Sequence, residues 1–486
     1  MVGRTPVAGR TSGPAKGFRR KLAAPLRSRR LRSLGSRIVR LPPPLTLLVL
    51  YTGLVLLGTV LLKLPIALAD PVRFPVTWGD AVFMSASAVT VTGLVVVDPA
   101  TAFAPFGEAV IAVLIQLGGL GLMAFAVLVL TALGLPIGLP RSITLREDLG
   151  QTGLRDLGRL VRLIAVVFVL FETLGAIALV FVFVPDLGWA QGTWHAVFHS
   201  ISAFNNAGFA LFPDSLTSYA LDPIVNVTVP LLFIVGGLGF AVIADLWRHR
   251  RGWQRAWWPR WRPLMLHSKL MLIGTLALIV FAVATFAALE WTNPATLGVH
   301  DHWWQKLTIA WFQGVTPRTA GFNTADYASV HDATALMTIT LMLVGGGATS
   351  TAGGIKVTTF ICLLLATYAF FRRSTELNAF GRSIPLEDVL RVTALVSVAI
   401  LFVAIATFIM SISHDGEFLD LIFEVASAFG TVGLSRGATG ELDALGRTVI
   451  IVLMFAGRVG PLTLGFFLAT RTRPRVRYPK SPVFLG

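Results

Sequence analysis

The sequence has one cysteine, Cys362, and few charges, since Asp, Glu, Lys and Arg together make up 14% of its 486 residues. One cysteine excludes an intrachain disulfide and supplies too few ligands for a thiolate metal site. The shortage of charge, with a hydrophobic share of 55% and recurring long apolar runs, excludes an ordinary soluble domain. We therefore predict a polytopic membrane protein.

Acidic residues are absent where basic residues are most dense. The first forty residues carry twelve Lys/Arg and no Asp or Glu, and most other basic residues fall in the tail and in alternate loops. This placement argues against nucleic-acid binding despite the net charge of +16, because Lys/Arg excess marks the cytoplasmic side of membrane proteins. We predict cytoplasmic termini and an N-terminal arm, residues 1–40, that contacts anionic membrane lipid.

The connections on the opposite side carry most of the 25 acidic residues. An acidic outer mouth concentrates cations before they enter a pore. The alternative is that acids collect there only because basic residues are excluded.

Catalytic constellations are also missing. A membrane enzyme, the alternative from another functional class, needs a nucleophile with its base or a set of metal ligands near one membrane face, and the sequence offers neither. His195 and His199 have a spacing that can bind metal, but without a third ligand they favour packing or lining of the pore mouth. We predict no resident cofactor.

The sequence does contain a long repeat. The segment Ser87-Ala-Val-Thr-Val-Thr-Gly93 returns around Gly208, Gly321 and Gly433, at intervals of 115, 113 and 112 residues. Four copies at one period predict four similar units. A short apolar run precedes each glycine and predicts a half-helix that re-enters the membrane, because it is too short to cross. The four runs are residues 80–89, 194–204, 302–313 and 417–429.

Longer apolar runs flank the half-helices and predict eight membrane spans. The expected fold class is an all-α polytopic membrane protein with four helix–pore loop–helix repeats in one chain around a single pore. The spans are expected at residues 45–64, 106–133, 163–184, 223–246, 270–291, 335–371, 389–411 and 449–470. The units are the basic arm 1–40, repeat 1 at 41–140, repeat 2 at 141–250, repeat 3 at 251–375, repeat 4 at 376–470 and the basic tail 471–486.

The four pore loops carry no acidic side chain at the glycine. Glycine permits backbone angles that turn carbonyls toward an axis, and a ring of carbonyls replaces the water shell of an alkali cation. We therefore predict a filter that binds potassium; the alternative is four helix-breaking turns with structural glycines. The candidate ion-binding residues are Val91, Thr92, Gly93, Asn206, Ala207, Gly208, Thr319, Ala320, Gly321, Thr431, Val432 and Gly433.

A glycine-rich cluster at residues 345–354 is too polar to stay helical in hydrocarbon, so we expect an intramembrane loop at 345–355 below the filter. Glu172, Lys356 and Arg458 fall inside predicted spans, where a charge needs a partner or water. We expect Glu172 to pair with a polar neighbour and Lys356 to anchor the loop. The candidate gating residues are Gly345, Gly346, Gly347, Thr349, Ser350, Gly353, Gly354, Lys356 and Arg458.

Six motifs resemble the membrane subunits of the Trk/Ktr/HKT superfamily of potassium transporters, closest to the bacterial Ktr and Trk subunits. They are residues 87–94, Phe204-Asn-Asn-Ala-Gly-Phe209, Arg318-Thr-Ala-Gly-Phe-Asn323, Ser350-Thr-Ala-Gly-Gly-Ile-Lys356, Ala428-Phe-Gly-Thr-Val-Gly-Leu434 and Gly457-Arg-Val-Gly-Pro-Leu462. The resemblance implies potassium uptake by a channel-like translocating subunit in the bacterial cytoplasmic membrane. In the plant members of the family, serine at the position of Gly93 is associated with sodium transport. The glycine of this chain therefore favours potassium. The alternative is a sodium-permeable or poorly selective transporter.

The resemblance also implies how transport is controlled. The family uses the matching intramembrane loop as a gate and places an arginine at the position of Arg458 as an electrostatic barrier to cations. A second role for Arg458 stays open, namely hydrogen bonding to the carbonyls of the loop. The membrane subunit is expected to be a homodimer regulated by a cytosolic, nucleotide-binding ring subunit, with sodium as a candidate activator.

Overall fold

The computed structural model describes residues 43–120, 155–249, 263–374 and 376–460, which all belong to one unit of the chain. The predicted arm 1–40, the tail 471–486 and large parts of two basic loops lie outside the described residues. The helices of ten or more residues in the first two repeats are α1 (Pro43–Leu62), α2 (Trp78–Thr90), α3 (Pro105–Gly119), α4 (Arg155–Phe204), α5 (Pro223–Leu238) and α6 (Phe240–His249). Those of the last two are α7 (Leu266–Glu290), α8 (Trp303–Val315), α9 (Asp332–Leu343), α10 (Val357–Phe371), α11 (Leu386–Ser413), α12 (Phe418–Gly430) and α13 (Ala444–Val459).

The half-helix of the first repeat, α2, has well-defined ends. It starts with a capping box, in which the Thr77 hydroxyl accepts from the Asp80 N–H and the Asp80 carboxylate accepts from the Thr77 N–H. It stops because Val91 is left-handed, and the N–H groups of Val91 and Thr92 bond back to Ala88 and Ser87 at 3.2 and 2.9 Å. This pair of bonds is a Schellman ending. The helix therefore ends within the protein, as a re-entrant segment requires.

The half-helices of the other repeats occupy the predicted places. α8 and α12 begin and end within two residues of the expected runs. In repeat 2 the half-helix follows the preceding span within α4 and is separated from it by a kink, at Pro185 and the non-helical Gly188 with φ 77°. The sequence predicted two separate segments there, and this proline and glycine mark the boundary between them. The mostly helical architecture of the prediction is confirmed.

Two predicted spans are broken inside the protein. The fourth is bent by 93° between α5 and α6, at Gly239, whose φ of 95° suits only glycine. The sixth is interrupted between α9 and α10, where residues 344–356 are not helical. Among the described residues, three helices are long and apolar enough to cross a membrane, or four when α5 and α6 count as one span, and shorter apolar helices accompany them.

A two-stranded hairpin joins α10 to α11 and departs from the all-α expectation. Strands β1 (Leu377–Ala379) and β2 (Arg382–Ile384) pair antiparallel, with Leu377 opposite Ile384. Phe380 and Gly381 connect them with φ of 52° and 72°, the left-handed pair of angles that a type I′ turn requires. The sequence did not suggest this turn because phenylalanine rarely takes positive φ.

Several polar side chains are buried in this structure beside its apolar core, and several large apolar side chains are exposed on its surface. Ser85, Ser87 and Thr90 of α2 are fully buried, whereas Leu56 and Val60 of α1 are 60% and 52% exposed. An exposed apolar surface of this kind favours aggregation in water, but it is well solvated by the hydrocarbon of a membrane. The distribution therefore agrees with the membrane assignment.

The helix that follows each pore loop is the second helix of its repeat, and glycines in α3, α5 and α13 let these second helices contact the ends of the half-helices. A Cβ at Gly118, Gly236 or Gly457 would meet the carbonyl oxygen of Val89, Phe204 or Phe429, respectively. Each of these carbonyls lies four residues before the repeated glycine of its pore loop, which we call the central glycine. The same close approach therefore occurs in repeats 1, 2 and 4. In repeat 3 the second helix is broken at this level.

We predict that Gly457→Ala destabilises the folded protein, because the new Cβ would lie 2.8 Å from the carbonyl carbon of Phe429. Overpacking of this kind costs about 1–3 kcal/mol. The matched control is Gly53→Ala in α1, where a Cβ meets no atom within 4 Å. Thermal unfolding in detergent should show a lower midpoint for Gly457→Ala only; equal midpoints would contradict the close packing.

Candidate ion pathway

Each of the four predicted pore loops forms a turn around its glycine, and these four central turns share one backbone conformation. In each turn a non-glycine residue is left-handed, and the glycine two positions later also has positive φ. The four pairs are Val91 (57°) with Gly93 (91°), Asn206 (58°) with Gly208 (70°), Thr319 (69°) with Gly321 (81°) and Thr431 (50°) with Gly433 (94°). Non-glycine residues rarely adopt this conformation. Its appearance in all four turns, with three different side-chain types, shows that the backbone shape is their shared feature.

The four turns meet in a closed ring. A Cβ on each central glycine would collide with the carbonyl oxygen of the residue that precedes the glycine of the next repeat. The collisions are Gly93 with Ala207, Gly208 with Ala320, Gly321 with Val432, and Gly433 with Thr92. Repeat 1 therefore touches repeat 2, repeat 2 touches repeat 3, repeat 3 touches repeat 4, and repeat 4 returns to repeat 1. All twelve predicted ion-binding residues lie in these turns.

The turns differ in how they are supported. The hydroxyls of Ser87 and Ser427 each accept a hydrogen bond, at 3.1 Å, from the N–H of their own central glycine, Gly93 or Gly433. In repeat 2 the equivalent Ser202 hydroxyl is buried without a hydrogen-bond partner. The first and fourth turns are therefore supported from within in the same way, and the second is not.

The third turn has valine where the others have this serine, and it uses other contacts. The Thr316 hydroxyl donates to the Phe322 carbonyl at 2.5 Å. The buried Arg318 guanidinium reaches the carbonyl and hydroxyl oxygens of Thr275 in α7, at 3.4 and 3.5 Å. This tether was not predicted from the sequence, although a charged residue inside an apolar repeat was a signal for it.

The ring opens at one end into a cavity of about 560 Å³. All four central glycines line it, and so do three aspartates, Asp98, Asp214 and Asp326. Each aspartate follows its central glycine by five or six residues and caps a local turn through a backbone N–H at 3.0 Å. Repeat 4 has Ala438 and Thr439 at these two positions, and its nearby Arg436 is paired with Asp420 at 2.5 Å. The acidic residues thus face the same space as the ring.

The segment between α9 and α10 lies against the ring. A Cβ at Gly353 would collide with the Thr431 side chain, and one at Gly345 would lie 3.4 Å from the Thr319 methyl carbon. The segment is closed on itself by the bond from the Gly345 N–H to the Ile355 carbonyl at 2.8 Å. The ordered backbone and the two contacts place this intramembrane loop directly beside the third and fourth turns.

Backbone hydrogen bonds tie the intramembrane loop to the break in repeat 2. The Gly347 N–H donates to the Gly237 carbonyl at 2.7 Å, and the Phe240 N–H donates to the Thr349 carbonyl at 3.1 Å. Gly346 packs against the same helix end, and Ser350 donates to the Gly347 carbonyl at 2.8 Å. The unwound ends of two repeats therefore satisfy each other's backbone groups, which hydrocarbon cannot do.

Two cations hold the intramembrane loop. Lys356 donates to the carbonyls of Ala352 and Gly353 at 2.7 and 3.3 Å. The two terminal nitrogens of Arg458 donate to the carbonyls of Thr351, in the loop, and Gly118, at the end of α3. Of the two roles left open for Arg458, this geometry supports hydrogen bonding to the loop, because the planar guanidinium joins two backbones.

The other singled-out polar residues have local partners. Glu172 accepts from the amides of Gln116 and Asn205 at 3.3 and 3.1 Å, which agrees with the expected polar pairing. His199 uses both ring nitrogens, one on the His195 carbonyl at 2.8 Å and one accepting from the Leu211 N–H at 3.3 Å. Within the described ranges no three His, Cys, Asp or Glu residues form a group that could hold a metal ion.

Comparison with known proteins agrees with this architecture. The chain is 44% identical to the Ktr system potassium uptake protein B of Bacillus subtilis, over 92% of this chain and 98% of that protein. It is 37% identical to the potassium/sodium uptake protein NtpJ of Enterococcus hirae, over 84% and 89%. The crystal structure of the potassium transporter TrkH from Vibrio parahaemolyticus superposes with a TM-score of 0.68 at 19% identity, covering 88% and 84%.

The family assignment rests on a match that spans most of the chain. The family described as TrkH, cation transport protein, matches residues 61–472. This range contains all four central turns and the intramembrane loop. The chain therefore belongs to the TrkH family of cation transport proteins.

Proposed function

We propose that this chain is the channel-like translocating subunit of a potassium uptake system in the bacterial cytoplasmic membrane. The observation that carries the proposal is the closed ring of four turns, in which each glycine packs on a carbonyl of the next repeat. A ring of backbone carbonyls can replace the hydration shell of a potassium ion. The relatives named for potassium uptake support the same substrate.

The test of this function is ion flux through the purified protein in lipid vesicles. Rubidium, which stands in for potassium, should enter down its gradient much faster than sodium. Vesicles without protein set the background. A rate equal to this background, or the transport of another class of solute, would contradict the proposal.

We assign ion selection to the twelve residues of the four turns. No turn places a carboxylate at its glycine, so carbonyl dipoles select the ion, which suits a monovalent cation. Gly93 packs against the second turn and leaves no space for a side chain. The second candidate is a transporter that also accepts sodium, which the name of the Enterococcus hirae relative favours.

We predict that Gly93→Ser lowers the flux ratio of rubidium to sodium by about tenfold, which corresponds to about 1.4 kcal/mol. Serine at a φ of 91° is strained, and its Cβ would displace the Ala207 carbonyl. The control is Gly188→Ser, where φ is also positive, at 77°, but the space around Cβ is open. An unchanged ratio in folded Gly93→Ser would contradict the role of the first turn.

We propose that Asp98, Asp214 and Asp326 attract cations into the outer cavity. Clefts lined by charge of one sign raise the local concentration of counter-ions and their entry rate. With the basic termini and loops on the cytoplasmic side of the membrane, the cavity faces the outer side. The three carboxylates lie on the cavity wall and not in the ring, so they affect entry and not selection.

We predict that the double variant Asp214→Asn, Asp326→Asn slows rubidium entry about threefold or more at low ionic strength, with the difference fading above about 0.15 M salt. Asparagine can keep the turn-capping hydrogen bonds while it removes the charge. Asp301→Asn, at an acidic residue that does not line this cavity, is the control. A slowing that is independent of salt would indicate altered structure instead of lost attraction.

We propose that the intramembrane loop, residues 345–355, is the gate. It lies beside the third and fourth turns and contains few residues with helical propensity. Its position is held by discrete hydrogen bonds from Lys356 and Arg458 and to the break in repeat 2. Segments of this kind move between two arrangements when such bonds are exchanged.

We predict that Arg458→Lys and Arg458→Gln both increase maximal rubidium flux, by about tenfold to a hundredfold, because a hydrogen bond from a charged group is worth about 1.5–3 kcal/mol. Lysine keeps the charge but loses the fork that joins Thr351 to Gly118. Arg391→Gln, an exposed residue paired with Glu387 on α11, is the control. If Arg458→Lys retains the low flux of the parent, Arg458 acts as a charge barrier instead.

We further propose a homodimer with one pore in each protomer and a cytosolic, nucleotide-binding ring subunit that docks on the basic inner loops. Sodium is a candidate activator. The four repeats with the boundaries given above form the translocating unit. The basic termini and loops support the cytoplasmic assignment of this docking surface.

A further inference from the structure

Thr351 connects the intramembrane loop to two other repeats at once. Its N–H donates to the Gly236 carbonyl of repeat 2 at 3.3 Å, and its carbonyl accepts from Arg458 of repeat 4. Its hydroxyl donates to the side-chain oxygen of Asn206 at 2.6 Å. Thr351 is fully buried, so no water competes for these bonds. The hydroxyl is therefore committed to one partner in the ring of central turns.

Asn206 occupies the left-handed position of the second turn. The residues at this position in the other turns are Val91, Thr319 and Thr431, so only the second turn carries an amide. The amide accepts from Thr351 through its oxygen and donates, at a longer 3.4 Å, to the Thr319 hydroxyl through its nitrogen. Asparagine tolerates left-handed angles, and its amide supplies both a donor and an acceptor.

The second turn lacks a side-chain hydrogen bond that the first and fourth turns have. The first and fourth turns are held by the Ser87 and Ser427 hydroxyls, but the Ser202 hydroxyl of the second turn bonds to nothing. The hydrogen bond from Thr351 to Asn206 acts on the same short turn from the side of the loop. The turn with the unbonded serine is thus the one to which the loop donates a side-chain hydrogen bond.

Resting on the proposed function, we propose that Thr351 is a positioning residue for the second turn, acting through Asn206. The intramembrane loop then sets ion selection as well as flux. When Thr351 holds Asn206, the carbonyl of Ala207 is kept against Gly93, and Gly208 is kept against the third turn. When the bond is absent, the second turn relaxes, and the ring no longer matches one ion size.

The experiment compares Thr351→Val, which removes the hydroxyl at nearly constant shape, with Thr351→Ser, which keeps it. Rubidium and sodium fluxes are measured in vesicles. We expect the flux ratio to fall about threefold to tenfold in Thr351→Val, the range set by one lost hydrogen bond, and to stay near the parent value in Thr351→Ser. Thr340→Val is the matched control, because the Thr340 hydroxyl is exposed and bonds only to Leu336 of its own helix, at 3.0 Å.

A double-mutant cycle tests whether the effect passes through Asn206. Asn206→Gly removes the amide and keeps the left-handed angle accessible, and should lower the ratio as Thr351→Val does. The double variant should then be no less selective than Asn206→Gly alone, because Asn206→Gly already removes the bond to Thr351, together with the longer bond to Thr319. Multiplied effects would overturn the proposed link. Asn206→Gly also tests the bond from the other side if Thr351→Val does not fold.

The Gly93→Ser variant distinguishes a failure of this inference from a failure of the proposed function on which it rests. If Thr351→Val raises rubidium and sodium flux equally while Gly93→Ser still lowers their ratio, Thr351 belongs to the gate alone and the positioning role is wrong. If neither variant changes the ratio in folded protein, the ring is not the selectivity filter, and the proposed function fails with it.

Discussion

Four backbone turns approach each other so closely around one axis that none of their central residues has space for a Cβ atom. This steric constraint explains the four glycines, and it also explains much of the surrounding structure. Each turn must be delivered to the axis by a helix that stops inside the protein, which the Schellman endings after Ser87, Ser202 and Ser427 achieve. The second helices must then pass beside these ends, and they do so through Gly118, Gly236 and Gly457.

The same constraint makes the support of each turn important. Backbone groups in a membrane interior must be paired within the protein. The four turns are held by different side-chain contacts. Two use an internal serine, one uses Thr316 and the Arg318 tether, and one is bonded to the intramembrane loop through Asn206. A fourfold backbone pattern is therefore held by an asymmetric set of side chains. Because of this asymmetry, one loop in repeat 3 influences the position of the second turn and, through that turn, the whole ring.

The parts of the fold that repeat could be predicted from the sequence. The period of the glycines located the four turns, and hydrophobic length separated half-helices from spans. The composition of residues 345–354 indicated the unwinding between α9 and α10. These signals are local or periodic, and a single sequence displays both kinds.

The remaining features depend on contacts between distant residues. The 93° bend at Gly239 is stabilised by the loop of the next repeat, more than a hundred residues away. Arg458 was predicted as a charge in a span, but its two carbonyl partners lie in repeats 1 and 3. The bond from Thr351 to Asn206 also gave no sequence signal, because threonine and asparagine are common in turns for local reasons.

The central claim is that the ring of four turns binds a dehydrated monovalent cation. Anomalous X-ray scattering from crystals grown in rubidium salt tests it most directly, because it locates the ion without relying on transport. The account predicts a rubidium peak on the axis at the level of Gly93, Gly208, Gly321 and Gly433, which disappears when sodium replaces rubidium. Rubidium peaks confined to the acidic cavity, with none in the ring, would contradict it.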